Sequence, residues 1–159
     1  MNKSILKYFI FVVSSIFLIA LDQLTKYFAT KYLQHNKPFV IIDNVLELTY
    51  VENRGAAFGI LQNKQLLFYA LTIVVLVAIC VLLYKIDDFK NNIFYFVFLI
   101  LIFSGAIGNF IDRLKNKYVV DFIYFKPIDF PVFNLADIYI TIACIFMVIY
   151  LFIFDREKK

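Results

Sequence analysis

Two aspartates, Asp121 and Asp137, are the residues of this chain whose type and position best suit chemistry. Asp121 lies in a short polar segment, and Asp137 follows sixteen residues later at the start of an uncharged apolar run, Ile138–Phe154. A carboxylate beside hydrocarbon is costly unless it is paired, hydrated or neutralised, so such a residue is a candidate for function. Two carboxylates held close together share a proton, and the pair could activate a water for acyl hydrolysis without a covalent intermediate.

A simpler interpretation of the same residues remains open at this point. Asp121 could be a solvated charge in a loop, and Asp137 could be the N-cap of a helix, because Asp is a preferred cap residue. The two positions are too far apart in sequence for one helical face. Their spacing does suit a loop that folds back onto the start of a helix. The choice depends on the elements that carry them.

The composition is typical of a membrane protein with a single domain, residues 1–159. The chain is 63% hydrophobic and 19% aromatic, and its net charge of +4 is scattered, so we expect no nucleic-acid partner. Cys80 and Cys144 lie inside apolar runs, which favours packing roles. With His35 as the only histidine, we expect neither a metal site nor a cofactor.

Four apolar runs predict an all-α membrane protein whose spanning helices cover residues 5–28, 66–84, 93–113 and 137–154. The first run, Tyr8–Leu21, is too short for a bilayer core about 30 Å thick, so the helix must continue past Asp22. The basic start and apolar middle also fit a signal peptide. However, no small-residue cleavage site follows the run.

The segments between the helices predict a small extracytoplasmic hairpin and two loops. Phe39–Ile42 and Val45–Val51 flank an Asp-Asn turn, and polar and apolar residues alternate in the second of them. Glu52–Gly59 is rich in small residues and predicts a loop or short helix over the site. Leu114–Pro131 is polar and aromatic with two prolines, so we predict a loop there.

Helices that alternate in direction bring the polar residues to one end of the bundle. The residues expected there are Asp22, Asn53, Asn109, Asp112, Arg113, Asp121, Asn134 and Asp137. The positive-inside rule does not orient this end, which carries nine lysines and arginines against seven at the other. Lys3 and Lys7, before the first helix, favour a cytoplasmic N-terminus.

Several of these residues have two interpretations. Asn109, Asp112 and Arg113 share one face of the last turn of the third helix, where they could anchor the helix at the interface or brace a catalytic loop. Asp22 and Lys26 have the i,i+4 spacing of a surface ion pair, although their depth also suits a site or bracing role.

The segment from Asn53 to Ala57 also has two interpretations. Asn53-Arg54-Gly55 reads as a turn, and Gly55-Ala56-Ala57 could let a substrate backbone approach closely.

Five blocks in order resemble the lipoprotein signal peptidases, also called type II signal peptidases. The blocks are Asp22-Gln23-Leu24-Thr25-Lys26, Asn53-Arg54-Gly55-Ala56-Ala57-Phe58, Gly108-Asn109-Phe110-Ile111-Asp112-Arg113, Val120-Asp121-Phe122 and Phe133-Asn134-Leu135-Ala136-Asp137. Each block falls at the expected end of a predicted helix or in a connecting segment. One departure is Ser104-Gly105, where the family often has paired glycines.

The resemblance implies an aspartyl endopeptidase of the bacterial cytoplasmic membrane. It would cut prolipoproteins just before a diacylglyceryl-modified cysteine, with Asp121 and Asp137 as the catalytic pair. Substrate-binding or dyad-supporting roles would fall to Asp22, Asn53, Arg54, Gly55, Asn109, Arg113 and Asn134. The site would face outward and the termini the cytoplasm. The resemblance also implies inhibition by a cyclic peptide antibiotic. We further expect membrane lipid as a partner, no cofactor and a monomeric protein.

The main alternative is a small proton-coupled transporter or an assembly subunit. Transporter sites lie near the midplane of the bilayer, often on broken helices. The carboxylates of this chain lie at helix ends instead, which favours the peptidase.

Overall fold

The computed structural model describes residues 3–55 and 60–154, which form four long helices and three short strands. In chain order the elements are α1 (Lys3–Leu33), β1 (Phe39–Ile42), β2 (Leu46–Asn53), α2 (Gln65–Lys85), α3 (Ile93–Asn116), β3 (Val119–Phe125) and α4 (Leu135–Phe154). A short 3-10 turn, Lys126–Ile128, follows β3. Residues 56–59, on which part of the predicted loop or short helix falls, and the charged tail 155–159 lie outside the described residues.

Four helices are long and apolar enough to cross a membrane, as predicted. The predicted range of α2 is close to the observed one, whereas the other three helices are longer than their predicted ranges. α1 reaches Leu33 and has 31 residues, about 46 Å of helix, which exceeds a bilayer core of about 30 Å. α3 continues past Arg113 to Asn116, and α4 begins at Leu135 instead of Asp137.

α3 is the central helix of the bundle. It packs against α1, α2 and α4. In its most apolar stretch of 18 residues 39% is buried, against 17% in the corresponding stretch of each of the other three helices. Phe96 and Leu99 lie at the centre of the apolar core with Phe11 of α1 and Ile79 of α2. The outer faces of α1, α2 and α4 expose large apolar side chains, which suits contact with lipid.

Lys7 fixes the end of the bundle opposite the strands. Its buried ammonium group donates hydrogen bonds to the carbonyl oxygens of Leu83 and Ile86, at 3.0 and 2.6 Å. These carbonyls belong to the C-terminal end of α2, where the helix dipole favours a cation. Lys7 therefore ties α1 to the end of α2.

The predicted hairpin is present as β1 and β2. Asn44 has the positive φ of 55° that its turn requires. The expected alternation is only partly followed, because Glu47 is buried and pairs with Lys126.

The prediction of a loop over Leu114–Pro131 was wrong. This segment contains the last residues of α3 and the whole of β3, which joins an antiparallel sheet in the order β1-β2-β3. The first four residues of β3 are all buried, so polar and apolar residues do not alternate. A strand covered on both faces lacks the period-two signal by which strands are recognised.

Candidate active site

The backbone around Phe133 brings Asp121 and Asp137 into one site. The chain reverses after β3, and Phe133 pairs with Ile123 through two backbone hydrogen bonds of 2.8 and 3.0 Å. This bridge sets the first turn of α4 beside the third residue of β3. Asp121 and Asp137 consequently line the same cavity.

Asp121 is buried, with 1% of its surface exposed, and both of its oxygens accept hydrogen bonds from asparagines. Asn53 Nδ2 donates to Oδ2 at 2.9 Å, and Asn134 Nδ2 donates to Oδ1 at 2.6 Å. Burial, and after it the nearby charge of Asp137, raise the pKa of Asp121 to about 7, while the two asparagine hydrogen bonds and the charge of Lys26 oppose the shift. Asp121 therefore keeps its proton up to about pH 7.

Asp137 lies in the first turn of α4, but it is not the N-cap. The cap is Asn134, whose Oδ1 accepts the N–H of Asp137 at 3.0 Å, while Asp137 Oδ2 accepts the N–H of Asn134 at 3.2 Å. This is a reciprocal capping box. Asp137 Oδ1 also accepts a hydrogen bond from Asn109 Nδ2 at 2.7 Å. Asp137 thus accepts one backbone and one side-chain hydrogen bond at the N-terminus of α4.

Two asparagines connect the aspartates. Asn134, which is completely buried, donates through Nδ2 to both Asp121 Oδ1 and Asn109 Oδ1, the latter at 3.1 Å. Asn109 in turn donates to Asp137. Because each amide has a fixed donor and acceptor side, the chain of hydrogen bonds sets the orientation of both carboxylates.

A cluster of buried charged side chains lies next to Asp121 and Asp137, which we call the dyad. Lys26 is at the centre of this cluster. Lys26 Nζ contacts Asp22 Oδ2 at 2.9 Å and Asp112 Oδ2 at 3.2 Å, and it donates to Asn109 Oδ1 at 2.9 Å. Three acceptors match the three protons of the ammonium group. The predicted ion pair of Asp22 and Lys26 is therefore present, but it is buried rather than on the surface. Asp22 lies below the cavity and does not line it.

Gln23 is a member of this cluster that sequence reasoning did not single out. Its Nε2 donates to Asp112 Oδ1 at 3.0 Å and to the carbonyl of Gly108 at 3.2 Å. A Cβ at Gly108 would lie 2.5 Å from Asp22 Oδ2, so only glycine lets α1 approach α3 this closely. The run of polar residues at Asp22, Gln23 and Lys26, deep in a spanning helix, was the available signal.

The two arginines named from the sequence have different positions. Arg113 lines the cavity, donates from Nη2 to the carbonyl of Gly55 at 3.3 Å, and lies over the ring of Phe68. Arg54 is exposed, pairs with Glu52 and does not line the cavity.

Gly55 itself is buried in the cavity wall, and its N–H donates to Asn53 Oδ1 at 2.9 Å. A Cβ at Gly55 would lie 2.6 Å from the carbonyl oxygen of Ile60. The close contact at this glycine is therefore with the protein's own backbone.

The cavity has a volume of about 770 Å³ and two chemically distinct parts. Asp121, Asp137, Asn109 and Arg113 form a polar end beside the sheet. An apolar arm extends between α2, α3 and α4, and its walls include Leu71, Val75, Ile102, Ala106 and Ile142. Such a cavity fits a polar bond with a hydrocarbon substituent. Within the described residues, His, Cys, Asp and Glu side chains form no group of three or more that could hold a metal ion.

Comparisons with known proteins match the chain over most of its length. The chain matches the family Signal peptidase (SPase) II over residues 14–153. It is 43% identical over 150 residues to a lipoprotein signal peptidase of Clostridioides difficile, covering 94% of this chain and 99% of the relative. It is 49% identical over 132 residues to one of Caldanaerobacter subterraneus subsp. tengcongensis, covering 82% and 88%.

Two solved structures, both described as bacterial membrane enzymes determined by the in meso method, have the same fold. One has a TM-score of 0.86 at 37% identity and covers 94% of this chain and 91% of its own. The other has a TM-score of 0.79 at 38% identity and covers 89% and 91%. The fold predicted from the sequence is confirmed, and the transporter alternative is not favoured. On the extent of the sequence match and the likeness of the fold, this chain belongs to the signal peptidase II family.

Proposed function

We propose that this protein is a membrane aspartyl endopeptidase that removes signal peptides from diacylglyceryl-modified bacterial prolipoproteins. The bond cut would be the one just before the lipid-bearing cysteine. The observation that carries the proposal is that Asp121 and Asp137 line one cavity and are connected through Asn134. The names of its relatives support the same substrate class.

The environments of the two aspartates support different roles for them. Asp121, with its raised pKa, is the acid and carries the shared proton. Asp137, partly exposed at a helix N-terminus, is the base. Pairs of titratable groups with different surroundings divide acid and base work in this way.

The reaction then proceeds in two balanced steps. Asp137 takes a proton from water as the water oxygen bonds to the scissile carbonyl carbon, and Asp121 gives its proton to the carbonyl oxygen. In the resulting diol, Asp137 returns its proton to the amide nitrogen and one hydroxyl gives its proton to Asp121 as the carbon–nitrogen bond breaks. The products are a carboxylic acid and an amine, and the dyad regains its starting protonation.

The apolar arm suits the lipid of the substrate. Burial of acyl chains contributes about 0.8 kcal/mol per methylene, so a diacyl group holds the scissile bond near the membrane interface. Leu71 and Val75 of α2 and Ile142 of α4 provide the apolar walls. The polar end of the cavity then has to accommodate only the peptide bond.

We also propose that the site lies at the outer face of the cytoplasmic membrane and that both termini are cytoplasmic. Lys3 and Lys7, before the first apolar run, support this orientation. The protein would act as a monomer, because the dyad and its supporting residues come from one chain. A cyclic peptide antibiotic that inhibits the family would occupy the same cavity.

Cleavage of a lipid-modified precursor by the purified protein in detergent tests the proposal. Asp121→Asn and Asp137→Asn should each lower the rate by about a hundredfold or more, because each removes a group that transfers a proton. Asp43→Asn, in the exposed hairpin turn, is the matched control and should leave the rate unchanged. Full activity in either dyad variant would remove the proposed mechanism.

The same assay with an unlipidated precursor tests the substrate class. We expect poor cleavage of this precursor by the wild-type protein. Equal rates for the two precursors would contradict recognition of the lipid but would leave the dyad assignment intact.

A further inference from the structure

A second apolar groove of about 460 Å³ lies between the C-terminal end of α1 and the sheet. It shares no lining residue with the cavity that contains the dyad. Phe28, Ala29 and Tyr32 form the helix wall, and Phe39, Leu48 and Phe122, one from each strand, form the facing wall. We call this feature the α1–sheet groove. Its volume is within the usual range of small-molecule sites.

The surroundings of the α1–sheet groove place it at the edge of the bilayer. All four residues of β1 are apolar and exposed, with Phe39 at 63% and Ile42 at 53% exposure. Tyr27 and Tyr32 are exposed on the adjoining end of α1. Aromatic side chains with a polar tip concentrate at the headgroup level of membranes. An apolar strand exposed beside such residues fits contact with lipid, so the groove opens toward lipid.

The charge at the groove is positive. Lys37 is among the lining residues, and no carboxylate of the described chain is. Lys31 flanks the same end, with its ammonium group 5.2 Å from the centre of the Tyr32 ring. Lysine ammonium groups near a membrane surface attract anionic lipid headgroups. The groove thus combines apolar walls with cations at one end.

We propose that the α1–sheet groove binds one anionic phospholipid from the leaflet on the sheet side of the protein. An acyl chain would lie against Phe28, Ala29 and Leu48, and the phosphate would contact Lys37, with Lys31 adding to the local potential. This lipid is not the substrate, because the groove is separate from the dyad cavity. By contacting α1 and the sheet together, the lipid stabilises the junction between these two elements.

Lipid retention measured by native mass spectrometry tests this proposal. The purified protein is incubated in detergent with phosphatidylglycerol or with phosphatidylcholine of the same chains. We expect one tightly retained phosphatidylglycerol per protein and clearly weaker retention of phosphatidylcholine. Thermal unfolding followed in parallel should shift upward with phosphatidylglycerol only, because a ligand of the folded state stabilises that state.

Lys37→Glu is the diagnostic variant, and its side chain is exposed, so the fold should tolerate the change. Reversing this charge should weaken phosphatidylglycerol retention about fivefold or more, given the contribution of one lysine at an anionic surface. Lys90→Glu, an equal charge change at an exposed lysine in the α2–α3 turn, should retain the lipid like the wild type.

Three results would overturn the proposal. They are equal retention of the two lipids by the wild type, unchanged retention in Lys37→Glu, and complete displacement of the lipid by inorganic phosphate at the same concentration. The last would mean that the lysine binds phosphate without any contribution from the apolar groove.

Discussion

Asp22 accepts the backbone N–H of Ala136 through Oδ1 at 2.9 Å, so a buried carboxylate of α1 holds the residue directly before Asp137. The contact joins α1 to α4 through two residues that are 114 positions apart in sequence. A donor in the first turn of a helix has no partner within the helix. Asp22 supplies that partner and thereby fixes the position of the α4 N-terminus relative to α1.

The other half of the dyad has a parallel contact. Asp112 of α3 accepts the backbone N–H of Val120 through Oδ2 at 3.1 Å, and Val120 directly precedes Asp121. Lys26 lies between Asp22 and Asp112 and pairs with both. Lys26 therefore links the carboxylate that holds the start of α4 to the carboxylate that holds β3.

Lys26→Met should be strongly destabilising. The change leaves Asp22 and Asp112 buried without their cation, and breaking a buried pair by removing one partner typically costs about 3–5 kcal/mol. Thermal unfolding in detergent measures the effect, and Lys31→Met, at an exposed lysine of the same helix, is the control. Adding Asp22→Asn and Asp112→Asn to Lys26→Met should recover part of the loss. An unfolding temperature of Lys26→Met equal to that of the wild type would contradict this role.

The raised pKa of Asp121 predicts how stability depends on pH. The folded protein keeps the Asp121 proton up to about pH 7, whereas the unfolded chain releases it near the ordinary value of 3.8. The folded state binds more protons between these values, so the contribution of Asp121 is full below about pH 4 and is lost as the pH rises to about 7. Unfolding measured across this window should have a smaller downward slope in Asp121→Asn than in the wild type. Identical slopes would contradict the shift.

The cleavage rate should also depend on whether Asp121 carries its proton. If Asp121 must be protonated for catalysis, the cleavage rate falls as the pH rises through about 7. Rates on the lipid-modified precursor at concentrations well below KM, which follow kcat/KM and therefore the free enzyme, would be compared from pH 5 to pH 9. A rate that continues to rise well above neutral pH would argue against Asp121 as the acid.

The two arginines should respond differently to alanine. Arg113→Ala removes the hydrogen bond to Gly55 and the contact with Phe68, so we expect activity to fall at least about tenfold and the unfolding temperature to fall as well. Arg54→Ala removes an exposed pair with Glu52 and a contact with the ring of Tyr118, both outside the cavity, so activity should stay within about twofold. Measuring both quantities separates loss of folding from loss of site geometry. The reverse order of effects would mean that Arg54 contacts the substrate.

Ala106→Leu should weaken cleavage of the lipidated substrate without changing cleavage of the unlipidated one. Ala106 lines the apolar arm of the cavity, and a larger side chain there reduces the space for an acyl chain. We expect KM for the lipid-modified precursor to rise severalfold, while the slow cleavage of an unlipidated precursor is unchanged. Ala70→Leu, on an exposed position of α2 outside the cavity, is the matched control. An equal effect on both precursors would locate the acyl chains elsewhere.

Local patterns in the sequence determined the membrane class, the four helices and the hairpin. Uncharged runs of sufficient length have few alternatives to a spanning helix, and an Asp-Asn turn between apolar segments is a local signal. The position of Asp137 at the start of an apolar run, with Asp121 in the polar segment before it, made these two aspartates candidates, and the motifs that resemble the signal peptidases implied that they are the catalytic pair. Each of these features is readable within a short window of residues.

Only the tertiary structure decided how the site is held together. The first four residues of β3 are buried on both faces and so have no alternating pattern, and Asn134 rather than Asp137 caps α4. Lys26 looked like a surface partner of Asp22, yet it is buried because α3 brings Asp112 to the same ammonium group. These outcomes depend on contacts between residues far apart in the chain, and local propensity and spacing carry no information about such contacts.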